Sequence, residues 1–312
     1  MRLSHADLKS LAVFRAVAEH RGFAGAQMAL NISQSAVSFH IKAIEERLGF
    51  RVCARGRTGF ELTDRGAILY ERAKVLLAAV EDFHGDMAEL RSRVIGNLRL
   101  GVVDNTVTNP TLALHAVIYE FLRKNEGARI DITVGCPEQL MLAIVGGELQ
   151  LGILPLTTQM EGLQYREFYT ELHAVYCGHR HPLFALSDAL LSVEAIAAHP
   201  FVVRPYANLR ELSGFPNALV GAHASNMEAQ AMLILSGQFI GNLPRHYADL
   251  WVARGELRAL LPEQVVIESP FCLVTRLGRR PSLIVRTFIQ ELIGQRIERA
   301  QTLSALRPAG TT

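Results

Sequence analysis

The sequence predicts an α/β chain in three parts: a small head rich in helix, one long unbroken helix, and a larger body of alternating strands and helices. Three observations predict this. Apolar residues near the start recur at helical spacing in three short stretches. A proline-free run over 64–93 carries two interleaved apolar rows, each with a seven-residue repeat. From residue 97 onward, short apolar runs suited to strands alternate with helical stretches. With 312 residues, the chain is too long for one ordinary core.

Composition narrows the class. Hydrophobic residues make up 49% and charged residues 20%, a globular balance rather than a disordered one. No apolar run reaches the roughly 18 residues a membrane helix needs. The opening stretch MRLSHADLKS lacks the apolar segment of a secretory signal. Cys53, Cys136, Cys177 and Cys272 are far apart and form no CxxC pair. That argues against a zinc site or disulfide framework and for a reducing cytoplasm, with no membrane contact. Charge is uneven. Residues 1–65 hold ten Lys and Arg against six Asp and Glu, a net +4; the chain totals +2, so the remainder carries −2. A basic head on a faintly acidic body suits a nucleic-acid partner for the head, although scatter alone can produce such a difference.

In the head, Leu8, Leu11, Phe14, Val17 and Ala18 mark an amphipathic helix over about 5–20, with Gly22 placed to end it. A short second helix fits 24–30, and Asn31-Ile32-Ser33 makes a tight turn. Ser33 is placed to cap a third helix over 33–48, its hydroxyl accepting an orphan backbone N–H. The inner seam of that helix is Val37, Ile41, Ile44 and Leu48. Its outer face carries Gln34, Ser35, Ser38, Phe39 and Lys42: hydrogen-bonding near the N-terminus, basic further on. Such a face suits a DNA major groove, where base edges offer donors and acceptors and the walls are phosphates. A solvated face would look the same in isolation, so the next segment matters. Gly49 ends the helix; 51–55 reads as a strand, 56–59 as a turn and 60–63 as the return strand. This is a β-wing with Arg55 and Arg57 near its tip, where long cations reach phosphates or a narrow minor groove. The head, 1–63, is therefore a winged helix-turn-helix.

The long helix is expected over 64–93, with Thr63 as its cap. Leu69, Leu76, Phe83 and Leu90 form one row; Ala73, Val80, Met87 and Val94 form the other. Rows at a and d spacing over almost four heptads argue for a coiled-coil seam with a partner helix, against the alternative of packing on its own domain.

The stretches LAVFRAVAEHRGF, NISQSAVSFHIKAIEERLGFRV and GFELTDRG resemble the N-terminal domain of LysR-type transcriptional regulators over about sixty ungapped residues. The closest matches are Ser33-Gln34, Ala36-Val37-Ser38, Ile44-Glu45, Leu48-Gly49, Leu62-Thr63 and Gly66. There are departures. Ala24 replaces a usual Ser or Thr cap, Gln27 a small packing residue, and Ser35 and Phe39 a frequent Pro and cation. The last pair removes a charge at the groove, so base preference should differ from that of relatives. The resemblance implies double-stranded operator DNA as partner and homodimerisation through the linker helix, and it favours a homotetramer. A dimer presents two recognition helices to half-sites about 34 Å apart.

Over 94–300 the expected elements are strands at 98–103, 130–134 and 149–154, with helices at 110–124 and 138–146. A second set follows: strand 173–177, helix 193–198, strand 201–204, helix 227–236, strand 239–243, strand 271–276 and helix 282–296. The residues 301–312 are expected to be a disordered tail. This βαβ order implies a parallel sheet flanked by helices. The segments NLRLG, GEL with LGI, HPL and GQFIGNLP resemble the effector-binding module of the same family, itself similar to periplasmic binding proteins. That resemblance implies two subdomains, one near 97–165 with 270–300 and one near 166–269, joined by crossing strands.

Ligands of such modules bind at the carboxyl ends of strands, near helix N-termini. The first strand ends in a polar run that includes Asn105, Thr106 and Thr108. By position in the resemblance, Asn105, Cys136, Pro155, Arg204 and Tyr206 fall where family members contact effectors. The expected effector is a small polar molecule, an anion if Arg204 is its charge partner; the competing reading of the Asn and Thr residues is plain turn and cap bonding. His173, Cys177, His179 and His181 cluster, but strand-and-loop placement explains them better than a metal does. Cys136 has no resolving cysteine nearby, so a pocket-lining role is preferred to redox sensing. No P-loop, GxSxG or HExxH pattern is present. No catalytic residue, metal or cofactor is therefore expected. The sequence reads as a ligand-responsive transcription factor; the alternative is a small-molecule-binding protein or enzyme built on the α/β body.

Overall fold

The computed structural model describes residues 4–56, 59–89, 93–206, 211–215 and 217–305. The chain divides into two compact units, one of residues 1–90 and one formed essentially by the residues from 91 on.

The first unit opens with helix α1, His5–Glu19. Ser4 and Asp7 close its start reciprocally: Ser4 Oγ accepts from Asp7 N, and Asp7 Oδ2 accepts from Ser4 N at 2.6 Å. The stop differs from expectation by one residue. Arg21, not Gly22, takes the left-handed conformation (φ 49), while Gly22 N donates to Val17 O. Gly22 instead precedes helix α2, Phe23–Leu30, which has no side-chain cap. Asn31, also left-handed, makes the turn to α3, Gln34–Leu48. Ser33 caps α3 as its sequence position predicts, its Oγ accepting from Ala36 N at 3.2 Å. Gly49 ends α3 with φ 75, a conformation that costs glycine least.

The apolar seams of these helices meet. Phe14, Val17, Val37 and Ile44 are buried together with Leu11, Ile41 and Val52. Each such side chain contributes about 1.5–3 kcal/mol by leaving water. The wing is a two-stranded antiparallel ribbon, β1 Cys53–Gly56 and β2 Gly59–Leu62, pairing Cys53 with Leu62 and Arg55 with Phe60. Its first strand begins two residues later than expected. Helix α4 runs Asp64–Glu89, and Thr63 Oγ1 accepts from Gly66 N at 2.9 Å, as the capping reading requires. A Cβ on Gly66 would lie 1.9 Å from Val52 O, so only glycine lets the helix start this close beneath the wing. Leu90, at the far end of one heptad row, lies outside the described residues. The rows are not one uniform seam. Leu69, Ala73 and Leu76 pack into the core of the head, whereas Phe83 and Met87 are 57% and 43% exposed.

The second unit begins with β3 Gly96–Val102, α5 Leu114–Lys124, β4 Ala128–Val134, α6 Pro137–Gly146 and β5 Leu151–Pro155. The helix expected from 110 starts four residues later. Asn109 Oδ1 accepts from Thr111 N and Leu112 N, locking a turn there, and Ala113 is left-handed. Next come β6 Leu163–Gly178, α7 Val193–Ala197, β7 Phe201–Val203, β8 Val220–His223 and α8 Met227–Leu235. The chain ends through β9 Ile240–Pro244, α9 Arg245–Val252, β10 Leu257–Leu260, β11 Ile267–Arg276 and α10 Leu283–Ala305. The expected disordered tail is thus helical as far as Ala305; 306–312 lie outside the described residues.

Among the described residues these strands form one sheet in the order β4-β3-β5-β11-β6-β9-β7-β8, with β10 also on β6. The β3, β4 and β5 neighbours are parallel, as are β7, β8 and β9. Antiparallel β6 and β11 run between the two parallel sets, paired from Ile267–His173 to Arg276–Leu163. One core surrounds Leu98, Leu100, Phe121, Ile144, Ile153 and Phe288. On the other side of the crossing strands, Val175, Phe201, Phe215 and Ile240 pack on one face and Tyr176, Met227, Ile234 and Leu243 on the other. We call these two halves of the unit its lobes.

Candidate nucleic-acid interface and ligand pocket

The outer face of α3 carries the side chains assigned to DNA. Ser33, Gln34, Ser35, Ser38, Phe39 and Lys42 are all exposed, while Val37, Ile41 and Ile44 are buried on the opposite side. Ser33 and Ser35 share a hydrogen bond between hydroxyls at 2.9 Å. Phe39 is 68% exposed, an apolar group on a polar face and suited to a thymine methyl. Lys42 lies 3.6 Å from Glu46 in a solvated i,i+4 pair, which leaves its ammonium free to exchange partners. Arg55 sits in β1; Arg57 lies outside the described residues.

One functional residue here escaped the sequence reading. Glu45 Oε1 accepts from Val52 N at 2.7 Å and Cys53 N at 3.3 Å, tying the recognition helix to the start of the wing. The signals for it were an acidic residue between two inner-seam positions and the Ile44-Glu45 match to the family. His40, on the same helix, has Nδ1 3.0 Å from Ser10 Oγ of α1; burial, helped by Lys9, lowers its pKa. Arg47 meets the buried Asp7 at 2.8 Å, which anchors the far end of α3 to the cap of α1.

In the second unit, a cavity of about 30 Å³ lies at the crossing strands. Its lining includes Asn105, Pro155, Arg204 and Tyr206, four of the residues assigned to effector, together with Glu171, His173, Glu211 and Ser269. Thr106, Thr108 and Cys136 are absent from that lining. Thr106 is buried and its hydroxyl donates to Val103 O, so it holds the turn. Thr108 Oγ1 donates to Asn105 O at 3.0 Å and lies 2.8 Å from His246 Nδ1. Cys136 is half-buried just ahead of α6, where its carbonyl accepts from Leu140 N.

Arg204 is not a waiting cation. Its Nε donates to Glu211 Oε1 at 2.8 Å, its backbone N to Oε2 at 2.9 Å, and its Nη1 to Tyr206 Oη at 2.9 Å. Arg204 lines the cavity with its charge already shared with Glu211, so an anion there would share the guanidinium with a buried carboxylate. Burial disfavours the guanidinium, but Glu211 and Tyr206 together offset this and the pKa stays raised. Glu171 is the second buried centre. Its Oε1 accepts from Asn109 Nδ2 at 3.0 Å and from His246 Nε2 at 2.8 Å; its Oε2 meets His173 Nε2 at 2.9 Å. Burial pushes this carboxyl up, yet the hydrogen bonds from His173 and His246 hold it down at about 2. Burial lowers the pKa of His173. Neither Glu171 nor Glu211 was flagged by sequence, because each sits in a segment without a motif. Among the described residues, no His, Cys, Asp and Glu group fit to hold a metal occurs, and no helix is long and apolar enough to cross a membrane.

Two family models match the chain. The bacterial regulatory helix-turn-helix protein model of the LysR family covers residues 8–67, and the LysR substrate binding domain covers 91–296. The chain belongs to the LysR family. Among curated relatives, the HTH-type transcriptional activator BauR of Pseudomonas aeruginosa is 37% identical over 93% of this chain and 95% of its own. The SDS degradation transcriptional activation protein of a Pseudomonas species is 27% identical over 88% and 91%. Among solved structures, full-length CbnR complexed with target DNA aligns with a TM-score of 0.62 at 18% identity, covering 93% of this chain and 99% of its own. A full-length OxyR variant from Pseudomonas aeruginosa aligns at 0.63 and 19% identity, covering 95% of each chain. These last two likenesses speak to the fold.

Proposed function

We propose that this protein is a ligand-responsive transcriptional regulator that reads operator DNA with α3 and the wing. The observation that carries the reading is the exposed face of α3: polar groups at its N-terminal end, a cation further along, and a two-stranded ribbon beside it. Gln34 and Ser38 work at base edges and phosphates; Lys42, Arg55 and Arg57 supply salt-dependent affinity. The exposed outer part of α4, with Phe83 and Met87, pairs with a second copy of the chain, and pairs of dimers make a tetramer. The regulator works in the cytoplasm. A ligand in the cavity between the lobes shifts their relative population of closed and open forms and so the geometry of the DNA-bound oligomer. A named relationship supports this: the relative at 37% identity is called a transcriptional activator. The test is a gel-shift titration with fragments upstream of the protein's own and neighbouring genes. Retardation at moderate salt that weakens in Gln34→Ala supports the reading; no retardation of any fragment sinks it.

A further inference from the structure

We infer that Phe39 reads the 5-methyl group of one thymine in each half-site, with its ring positioned by His40 and Ser10. This rests on the reading of α3 as the recognition helix. Among the described residues of the α3 face assigned to DNA, Phe39 alone is large and apolar; its companions are Gln34, Ser35, Ser38 and Lys42. Phe39 lies one helical turn beyond Ser35 and just under one turn before Lys42, so it sits within that face rather than at its rim. The base edges of a major groove offer donors, acceptors and a single apolar feature, the methyl of thymine. A phenyl ring pressed on a donor or acceptor would shut it from water unpaired, at a cost in binding. Pressed on the methyl, it removes apolar surface from water and strands nothing.

The ring is held before DNA arrives. Adjacent side chains on a helix point about 100° apart. The rings of Phe39 and His40 nevertheless meet edge to face, with centroids 5.6 Å apart and planes at 73°. His40 is fixed in turn by α1: its Nδ1 lies 3.0 Å from Oγ of the buried Ser10. The relay from Ser10 through His40 restricts Phe39, which lowers the rotamer freedom that an exposed side chain loses on binding. Burial and Lys9 lower the pKa of His40, so at neutral pH the imidazole beside Phe39 brings no charge to the groove. The cation of this face is Lys42, a turn further on and loosely paired with Glu46. Thymine and 5-methylcytosine carry the same methyl in the groove, and deoxyuridine lacks it, so the methyl can be tested apart from the base pair.

The experiment begins with full-length protein selecting duplexes from a random library. Each thymine of the selected sequence is then replaced singly by deoxyuridine, which keeps the base pair and removes the methyl. The unaltered protein should lose about fourfold in affinity at one thymine of each half-site, the loss expected for one methyl left in water. Phe39→Ala should bind the thymine and deoxyuridine duplexes equally at that position. With cytosine placed there, 5-methylation should restore about fourfold to the unaltered protein and nothing to Phe39→Ala. Ser10→Ala, which removes one oxygen, and His40→Ala should shrink the ratio of thymine to deoxyuridine affinity toward one. A general structural defect weakens both duplexes alike and leaves that ratio unchanged, so the ratio isolates positioning. A scan that is flat at every thymine, or a methyl response that survives Phe39→Ala, overturns the inference and leaves DNA reading by α3 standing. A ratio unchanged in Ser10→Ala and His40→Ala overturns their positioning role. A library from which no sequence is enriched overturns the regulator reading and this inference with it.

Discussion

Arg204 Nε lies 2.8 Å from Glu211 Oε1, with both side chains buried and the Arg204 backbone N–H bonded to the other carboxylate oxygen. Three neighbours extend this pair: Tyr206 takes an N–H from the guanidinium, Gln230 lies 3.4 Å from Glu211, and Asn242 Nδ2 donates to the Glu211 carbonyl. Removing one member leaves the other as an unpaired buried charge. Arg204→Ala or Glu211→Ala should therefore each destabilise the second unit by about 3–5 kcal/mol. Arg204→Ala with Glu211→Ala together should cost clearly less than the sum of the two single changes. Urea unfolding of the four proteins measures the coupling; additive losses would mean the pair acts as two independent contacts.

Glu45 links the recognition helix to the wing through two backbone N–H groups of Val52 and Cys53. Glu45→Ala strands those donors and should cost about 1–3 kcal/mol in the stability of the head. Glu45→Gln keeps a carbonyl acceptor and should lose less. DNA affinity should follow the same order, because the wing loses its fixed angle to α3. Equal operator affinity in all three proteins would show that the wing is held by its apolar contacts alone, Phe23 against Phe60 among them.

What was legible in the sequence depended on regular burial. The seam Val37, Ile41, Ile44 and Leu48 has one apolar face at helical spacing, so α3 and its polar side could be read directly. Strands β5, β7 and β9 are short and almost wholly buried, and read as apolar runs. The outer half of β6, LQYREFYTE, was missed because it alternates irregularly between buried and exposed positions and carries five polar or charged side chains. Four of the seven assigned effector residues line the cavity; its two carboxylates were invisible because their roles come from β6–β11 pairing and from the contact of Glu211 with Arg204. No spacing rule records either contact.

The Glu171 cluster predicts sensitivity to acid. Its carboxyl sits at about 2 in the folded protein against an ordinary 4.5, so its contribution is complete above about pH 4.5 and is lost as pH falls toward 2. His173 acts in the same sense at higher pH. Burial holds it below its ordinary 6.5, so the unfolded chain takes up that proton first and stability declines as pH drops beneath 6.5. Each group adds a slope approaching about 1.4 kcal/mol per pH unit within its window. Unfolding free energies from pH 7.5 to 3.5 should fall for the unaltered protein and fall less steeply for Glu171→Gln. Parallel curves would show that the cluster carries no linked proton.

Lys42 and Gln34 occupy one face of α3 but should fail differently. Lys42 is 78% exposed and only loosely engaged with Glu46, so its ammonium is available to a phosphate. One phosphate contact changes the slope of log affinity against log salt by about 0.9. Lys42→Ala should lower that slope by about this amount per recognition helix and weaken operator and unrelated DNA alike. Gln34, the first residue of α3, has an amide able to pair with the two edge groups of adenine. Gln34→Ala should leave the salt slope unchanged and reduce the preference for operator over single-base variants by about 1–3 kcal/mol at one position of each half-site. Salt titrations of both variants on operator and scrambled duplexes separate the two roles. If Gln34→Ala changed the salt slope and left discrimination intact, the base-reading task would pass to the exposed ring of Phe39, whose removal would then relax a preference for thymine.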